Sequence, residues 1–385
     1  MDDLSAGLDV PAIRARIEQR FRVYDVHTDE HVVAFFVHAA HESLEGDFEA
    51  LKRDLKQDGL LPLLKYQGGE HAIYVLRNPT RTKRSWKVNV WLYLITILTT
   101  TLAGAYEAFG YYHSDFDLSQ VSEWQYHVRV LTDPSNLLLG FVTFALPLMA
   151  ILTIHEFGHY VAARRHGVDA SLPFFIPVPP VLFPTGTMGA FIAMREPMPN
   201  RKALFDIGAA GPLAGFVVAL VVLLLGFVLM AVHPVAPPSD GGHGILLGEP
   251  LLFQGASKLF GLGDDVMLHP TAFAAWVGLF VTAMNLIPVG QLDGGHIATA
   301  MFGERGRYVS YAAVVGLLGL GLAPMLGFGG SGNWLVLALL VSFMGVRHPP
   351  TLDGVSGLDT KRQVIGWATF VIGVLCFTIV PFAVN

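Results

Sequence analysis

Cys376 is the only cysteine among 385 residues, which excludes an internal disulfide and a cysteine-based zinc site. It lies in an apolar run and reads as an inert buried thiol. Charge is scarce as well. Asp, Glu, Lys and Arg make up 15% of the chain, against about 25% in soluble proteins, while 52% is hydrophobic. Apolar content in such excess must face something other than a core, and lipid is the natural candidate. The net charge of −6 is too small to specify a partner. There is no basic tail and no basic–aromatic interleaving, so a nucleic-acid partner has no support. The first ten residues hold Asp2, Asp3 and Asp9 and no apolar stretch. Neither a cleaved signal peptide nor an Arg-rich transit peptide is expected from them.

Residues 1–85 read as a small soluble α+β module. Arg14 to Phe21 opens with a helical charge pattern. Phe21 to Val26 and Val32 to Val37 read as strands around His27-Thr28-Asp29. Ser43 to Gln57 is amphipathic, with Leu44, Phe48, Leu51 and Leu55 at helical spacing. Leu60 to Tyr66 and Ala72 to Leu76 flank Gly68-Gly69 as a second hairpin. His27, His31, His38 and His41 lack a ligand spacing and are not read as a metal cluster.

Residues 86–385 are dominated by apolar runs of the roughly 20 residues needed to cross a bilayer. Spans are expected near 88–108, 137–163, 205–232, 271–302, 307–327, 332–347 and 363–383, about seven crossings in all. Lys and Arg near span ends set the orientation. Arg77, Arg81, Lys83, Arg84, Lys87, Arg164, Arg165, Arg201, Lys202, Arg305, Arg307, Lys361 and Arg362 all fall on one side. That side is the cytoplasm, together with the N-terminus. The opposite loops, 109–136 and 233–270, hold only Arg129 and Lys258. A multi-pass protein of a prokaryotic cell membrane is the expectation.

Residues 171–200 fit neither a span nor an ordinary loop. Leu172 to Pro184 is apolar but carries five prolines, which forbid a regular helix. Thr185 to Ile192 follows and reads as extended, with Gly186 and Gly189. Non-helical backbone at membrane depth is tolerated only beside protein or a wet cavity. A re-entrant β hairpin from the cytoplasmic side meets that condition; a greasy loop on the headgroups is the alternative.

Five acidic, basic or histidine side chains lie well inside the expected spans: His155, Glu156, His159, Asp293 and His296. A charge at the bilayer centre costs about 2.5–3.5 kcal/mol even on gentle scales, so such residues are functional by default. His155-Glu156-Phe157-Gly158-His159 is an H-E-x-x-H pattern. On a helix, positions i and i+4 share a face, so both imidazoles reach one zinc ion. Glu156 points off that axis and is placed to take a proton from water activated at the ion. A catalytic zinc needs a third protein ligand, and Asp293 fits. His159 precedes Arg164 by about five residues and Asp293 precedes Glu304 by about eleven, so at ~1.5 Å per residue both sit towards the cytoplasmic face. Pro288, Gly290, Gly294 and Gly295 loosen the chain there. His296 reads as a second-layer partner or as a polar residue at the wet end of the cavity, since a fourth protein ligand would displace the water. Asn285 could donate to an oxyanion or bond between helices. Gly208-Ala209-Ala210-Gly211-Pro212-Leu213-Ala214-Gly215 reads as a helix-packing surface.

With these residues in hand, the chain over about 85–385 resembles the site-2 protease family of intramembrane zinc metalloproteases. The resemblance rests on His155 to His159, on Asn285 to Gly294, and on Gly211-Pro212 between them. Pro199 to Gly208 looks especially like the chloroplast and cyanobacterial branch. The resemblance implies zinc on His155, His159 and Asp293, with Glu156 as base. It also implies substrate binding by the 171–200 segment, hence Gly186 and Gly189, and a membrane-protein substrate cut at a transmembrane segment. The 233–270 loop is too short for the inserted PDZ domain that many members carry. A divalent-metal transporter and a catalytically inert membrane scaffold are the alternatives. The first predicts a polar path through several spans, and the second is at odds with an intact Glu156.

Overall fold

The computed structural model describes residues 8–29, 32–39, 43–77, 85–116, 121–237, 245–262, 266–346 and 348–384. His31, His41, Arg81, Lys83 and Arg84, invoked above, lie outside the described residues. The N-terminal part forms α1 (Val10–Glu18), β1 (Arg22–Thr28), β2 (Val33–His38), α2 (Leu44–Lys56), β3 (Leu60–Gln67) and β4 (Glu70–Arg77). The strands make one antiparallel sheet in the order β1-β2-β4-β3. The alternation of Val33, Phe35 and Val37 in β2 with Ile73 and Val75 in β4 aims one sheet face at α1 and α2. Ile17, Phe48, Leu51 and Leu55 fill the space between with no exposed surface. Gly68 and Gly69 take φ of +63° and +93°, the left-handed pair a two-residue hairpin demands.

The rest is mostly helical: α3 (Lys87–Tyr112), α4 (Glu123–Thr132), α5 (Pro134–Gly140) running through a π turn (Phe141–Ala145) into α6 (Leu146–Arg165), β5 (Phe174–Pro177), β6 (Thr187–Phe191) and α7 (Arg201–Val232). Then come β7 (Ile245–Leu247), α8 (Leu251–Phe260), α9 (Pro270–Asn285), α10 (Asp293–Phe302), α11 (Gly306–Leu322), α12 (Asn333–Met344), α13 (Thr360–Cys376) and β8 (Phe382–Val384). Among the described residues, four stretches are long and apolar enough to cross a membrane: Lys87–Tyr112, Pro134–Arg165, Arg201–Val232 and Asp293–Leu326. The π turn has a sequence cause. Pro147 has no N–H for the Thr143 carbonyl, and that carbonyl instead accepts the Thr271 hydroxyl of α9 at 2.7 Å.

Four of the expected spans differ: that at 307–327 runs on from α10 as one stretch, Asp293–Leu326, that at 332–347 is only the 12-residue α12, and two others depart further. The single span at 271–302 is broken. α9 stops at Asn285, residues 286–292 turn irregularly, and α10 starts afresh at Asp293. Pro288 and Gly290 cause the break, Gly290 taking φ +53°. The loop folds back onto the first turn of α10 so closely that a Cβ on Gly294 would lie 2.2 Å from the Leu286 carbonyl oxygen. The last span also ends early, at Cys376, and the chain then leaves the helix so that β8 pairs with β7. Helices α4 and α8, in the loops opposite the basic flanks, carry amphipathic rather than spanning patterns and were not anticipated.

β5 and β6 form an antiparallel hairpin within the 171–200 segment. Its position is set from α3. The buried Asn89 amide donates to the carbonyls of Leu172 and Pro173 at 2.7 and 3.0 Å, and Tyr93 packs edge-on against Phe175.

The two parts are joined through main chain. Leu64 of β3 donates to the Leu352 carbonyl at 2.7 Å, and Gly354 donates back to Leu64 at 3.3 Å. On its other side the same short segment donates from Leu352 to Met198 and from Asp353 to Pro199, at 2.9 and 3.0 Å. Lys202–Glu45 at 2.7 Å and Lys56–Glu196 at 2.9 Å flank the joint.

Candidate metal centre

α6 holds His155, Glu156 and His159, each 4–6% exposed. Asp293 arrives from the first turn of α10, where unpaired helix N–H groups favour a carboxylate. Its Oδ2 lies 3.3 Å from Nε2 of His155 and 3.3 Å from Nε2 of His159. The two Nε2 atoms are 3.2 Å apart. Three donors so spaced match the ~3.3 Å edge of a tetrahedral shell with bonds of about 2.0–2.1 Å. Among the described residues this is the one group of three or more His, Cys, Asp or Glu placed to share an ion. Glu156 stands aside from the three, its Oε1 4.0 Å from His155 Nε2.

α7 completes the arrangement. The Ile207 carbonyl accepts from Nδ1–H of His159 at 2.7 Å, which fixes the tautomer and leaves Nε2 free as donor to a metal. Gly211 gives the imidazole room: a Cβ there would lie 2.0 Å from His159 Nε2. Gly158 lies against the Ala210 carbonyl, 2.5 Å from the place of its missing Cβ. The glycine-rich motif is therefore a packing surface, as its spacing suggests, and it packs against the candidate donor side chains themselves.

The donors open into a cavity of about 660 Å³. Its walls come from Ala190 to Met198, the end of β6 and the chain beyond it, from Asn285, Gln291 and His296 around the helix break, and from His348 to Pro350. The Asn285 amide nitrogen is 3.3 Å from His155 Nε2, so Asn285 links α9 to the donor cluster. His296 donates Nδ1–H to the Leu292 carbonyl at 2.8 Å and packs edge-on against His348, centroids 4.6 Å apart. It lies outside the donor group and belongs to the cavity wall. Gly186 does not reach the cavity. It sits in a tight turn against α3, where a Cβ would meet the Thr99 carbonyl oxygen at 2.4 Å. Gly189 takes φ +96° with open space beside it and is not part of the lining. The extended wall is Ala190 to Met194, overlapping only the end of the Thr185 to Ile192 stretch. His348, the Ile207 carbonyl and the close fit of Gly211 were missed. A lone His beside Pro349-Pro350 outside any span carries no signal, and every residue has a carbonyl.

Residues 143–326 match the model of Peptidase family M50. The chain carries an M50 peptidase domain. That domain includes α6, α7, α9 and α10 and hence every donor described above. The chain is 34% identical over 264 residues to the probable zinc metalloprotease EGY2, chloroplastic, of Oryza sativa subsp. indica, covering 65% of this chain and 45% of that protein. It is 35% identical over 263 residues to rice EGY1 (subsp. japonica), covering 61% and 42%, and 32% identical over 253 residues to Arabidopsis thaliana EGY2, covering 62% and 42%. The chain thus spans less than half the length of these relatives. No solved structure matches it. The M50 match over residues 143–326 and the four apolar helices together make this an integral membrane protein.

Proposed function

We propose that the chain is an intramembrane zinc metalloprotease that hydrolyses peptide bonds in or near transmembrane segments of other membrane proteins. The observation that carries this is the convergence of His155, His159 and Asp293 beside Glu156 in a cavity with an extended wall. Two neutral imidazoles and a carboxylate are a zinc donor set that leaves a fourth position open. Bound there, zinc supplies Lewis acidity to the scissile carbonyl and to water. Glu156 accepts the proton of the attacking water and passes it to the leaving amine. The Asn285 amide is within reach of the same centre to donate to the developing oxyanion. Ala190 to Met194 offers an unwound substrate segment a strand to lie along, which lowers the several kcal/mol that each unpaired backbone group costs in lipid.

In this reading residues 86–385 form the membrane unit, with about seven crossings and the 171–200 hairpin re-entering from the cytoplasm. Residues 1–85 form a cytoplasmic module, and the host membrane is a prokaryotic cell membrane. Single cysteines at Ser85 and Ser239 on a Cys376→Ser background test the orientation. Impermeant maleimide should label residue 239 and not residue 85 in intact cells; the reverse would overturn the assignment.

Glu156→Gln should cut proteolysis by at least ~10²-fold, the usual worth of a positioned general base, and should retain zinc. On that background a photo-crosslinker at Phe191 should capture a membrane substrate, and one at the outlying Val181 should not. Cleavage at the wild-type rate would end the mechanism. Asp293→Ala should instead lose metal as well as activity. Zinc affinity unchanged in a calorimetric titration would remove Asp293 from the donor set.

A further inference from the structure

On the side of α6 turned away from the metal donors lies a second groove, of about 580 Å³. Ile154, Phe157 and Val161 of α6 form one wall, and Leu213 of α7 and Ile365 of α13 face them. The three α6 residues are each 41–43% exposed on a helix that is apolar enough to lie in a bilayer. The floor is shallow because Gly158 lies directly on the Ala210 carbonyl.

One end of this apolar groove is charged. Arg165, His166 and Asp206 close it. Asp206 is already satisfied: it accepts from Arg362 Nε and Nη2 at 2.8 and 2.6 Å and from His166 Nε2 at 2.8 Å. Arg165 is exposed and makes no ion pair among the described residues. The groove therefore ends on one uncompensated guanidinium. From Ile154 to Arg165 the helix rises ~16 Å, eleven residues at about 1.5 Å each, close to the ~15 Å of one leaflet's hydrocarbon.

We propose that this groove is a binding site for an anionic phospholipid, with one acyl chain along Ile154, Phe157 and Val161 and the phosphate on Arg165. Length, apolar walls and a cation at the interface end are jointly the chemistry of such a lipid. A partner helix would fill the apolar part equally well but gives the unpaired guanidinium no counter-charge. Because Gly158 lies between His155 and His159 in the same helix, the lipid would brace the α6–α7 contact behind the donors. The proposal stands independently of the protease reading.

The test uses full-length protein in mixed micelles with spin-labelled phosphatidylglycerol or phosphatidylcholine. The immobilised fraction is read by electron paramagnetic resonance, with the helical circular-dichroism signal and a monodisperse gel-filtration peak as the fold control. Wild type should prefer phosphatidylglycerol. Arg165→Gln should weaken that lipid about fivefold, equivalent to the ~1 kcal/mol one cation contributes at a membrane surface, and leave phosphatidylcholine unchanged. Val161→Trp, which fills the groove from its exposed side, should displace both. Equal immobilisation of the two lipids in wild type, or no effect of either variant, would mean annular lipid only and overturn the site. Loss of lipid signal through dimerisation, seen by light scattering, would assign the groove to a second copy and overturn it too.

Discussion

Gly211→Ala should strip the metal from the protein while the membrane fold survives. A methyl group on Gly211 would lie 2.0 Å from His159 Nε2, 2.3 Å from Cδ2 and 2.5 Å from Cε1, so ring and methyl cannot coexist. The ring cannot simply retreat, because Nδ1 is bound to the Ile207 carbonyl at 2.7 Å. Separating the helices is also opposed, since Gly158 lies against the Ala210 carbonyl one residue away. Overpacking of this kind costs about 1–3 kcal/mol, and displacing a ligand should lower metal affinity by more than the ~10–100-fold typical of lost supporting contacts. Helix propensity alone predicts the opposite sign, since Ala is about 1 kcal/mol better than Gly in a helix interior. Gly316→Ala in α11, where a Cβ meets nothing within 4 Å, is the control and should keep full metal. Zinc stoichiometry and affinity unchanged in Gly211→Ala would refute the close fit.

Asp353→Ala should release the N-terminal module from the wall of the cavity. Asp353 is 1% exposed. Its carboxylate accepts from the amides of Val355 and Ser356 at 2.9 and 3.0 Å and from the Ser356 hydroxyl. Those bonds shape the turn that keeps Leu352 to Gly354 paired with Leu64 on one side and with Met198 and Pro199 on the other. Met198 and Pro350 both line the cavity, so the joint reaches the candidate site directly. Removing the carboxylate leaves the two part-buried amides without their partner, at a cost of up to about 1 kcal/mol each, and frees the turn that holds one short segment in place. The measurement is a crosslink by a short bismaleimide between cysteines replacing Lys56 and Glu196, whose long side chains pair at their tips at 2.9 Å, on a Cys376→Ser background. It should form quickly in the parent and at least tenfold more slowly with Asp353→Ala. Ser356→Ala, which removes one of the three bonds, should give an intermediate rate. Equal rates in all three would show that the Asp353 turn does not hold the module in place.

Local pattern carried the N-terminal module almost completely. Period-two alternation in Val33 to Val37, the helical spacing of Leu44, Phe48, Leu51 and Leu55, and Gly68-Gly69 each specify an element without reference to distant residues. The strand-forming tendency of the segment after Pro184 was legible for the same reason. The break at 286–292 was half legible: Pro288 and Gly290 announce a loosened helix, but hydropathy runs on through them, and a window of apolar residues cannot register a seven-residue turn.

The sequence by itself marked the candidate donors and the apolar surroundings. His155 and His159 stand four residues apart on one helix with Glu156 between them, and Asp293 is a carboxylate in an apolar stretch; the cost of such side chains in lipid singles them out before any fold is known. Only the tertiary structure decided what lies against them. That the Ile207 carbonyl orients His159, that Gly211 makes room for its ring, and that His348 closes the cavity depend on three chain segments meeting. The same dependence carries the Asn285 amide to His155 and turns Gly186 away towards α3. A side chain's chemistry is local and travels with its letter. Its neighbours are set by how α6, α7 and α10 pack, and close packing is a property of the whole assembly that no single segment encodes.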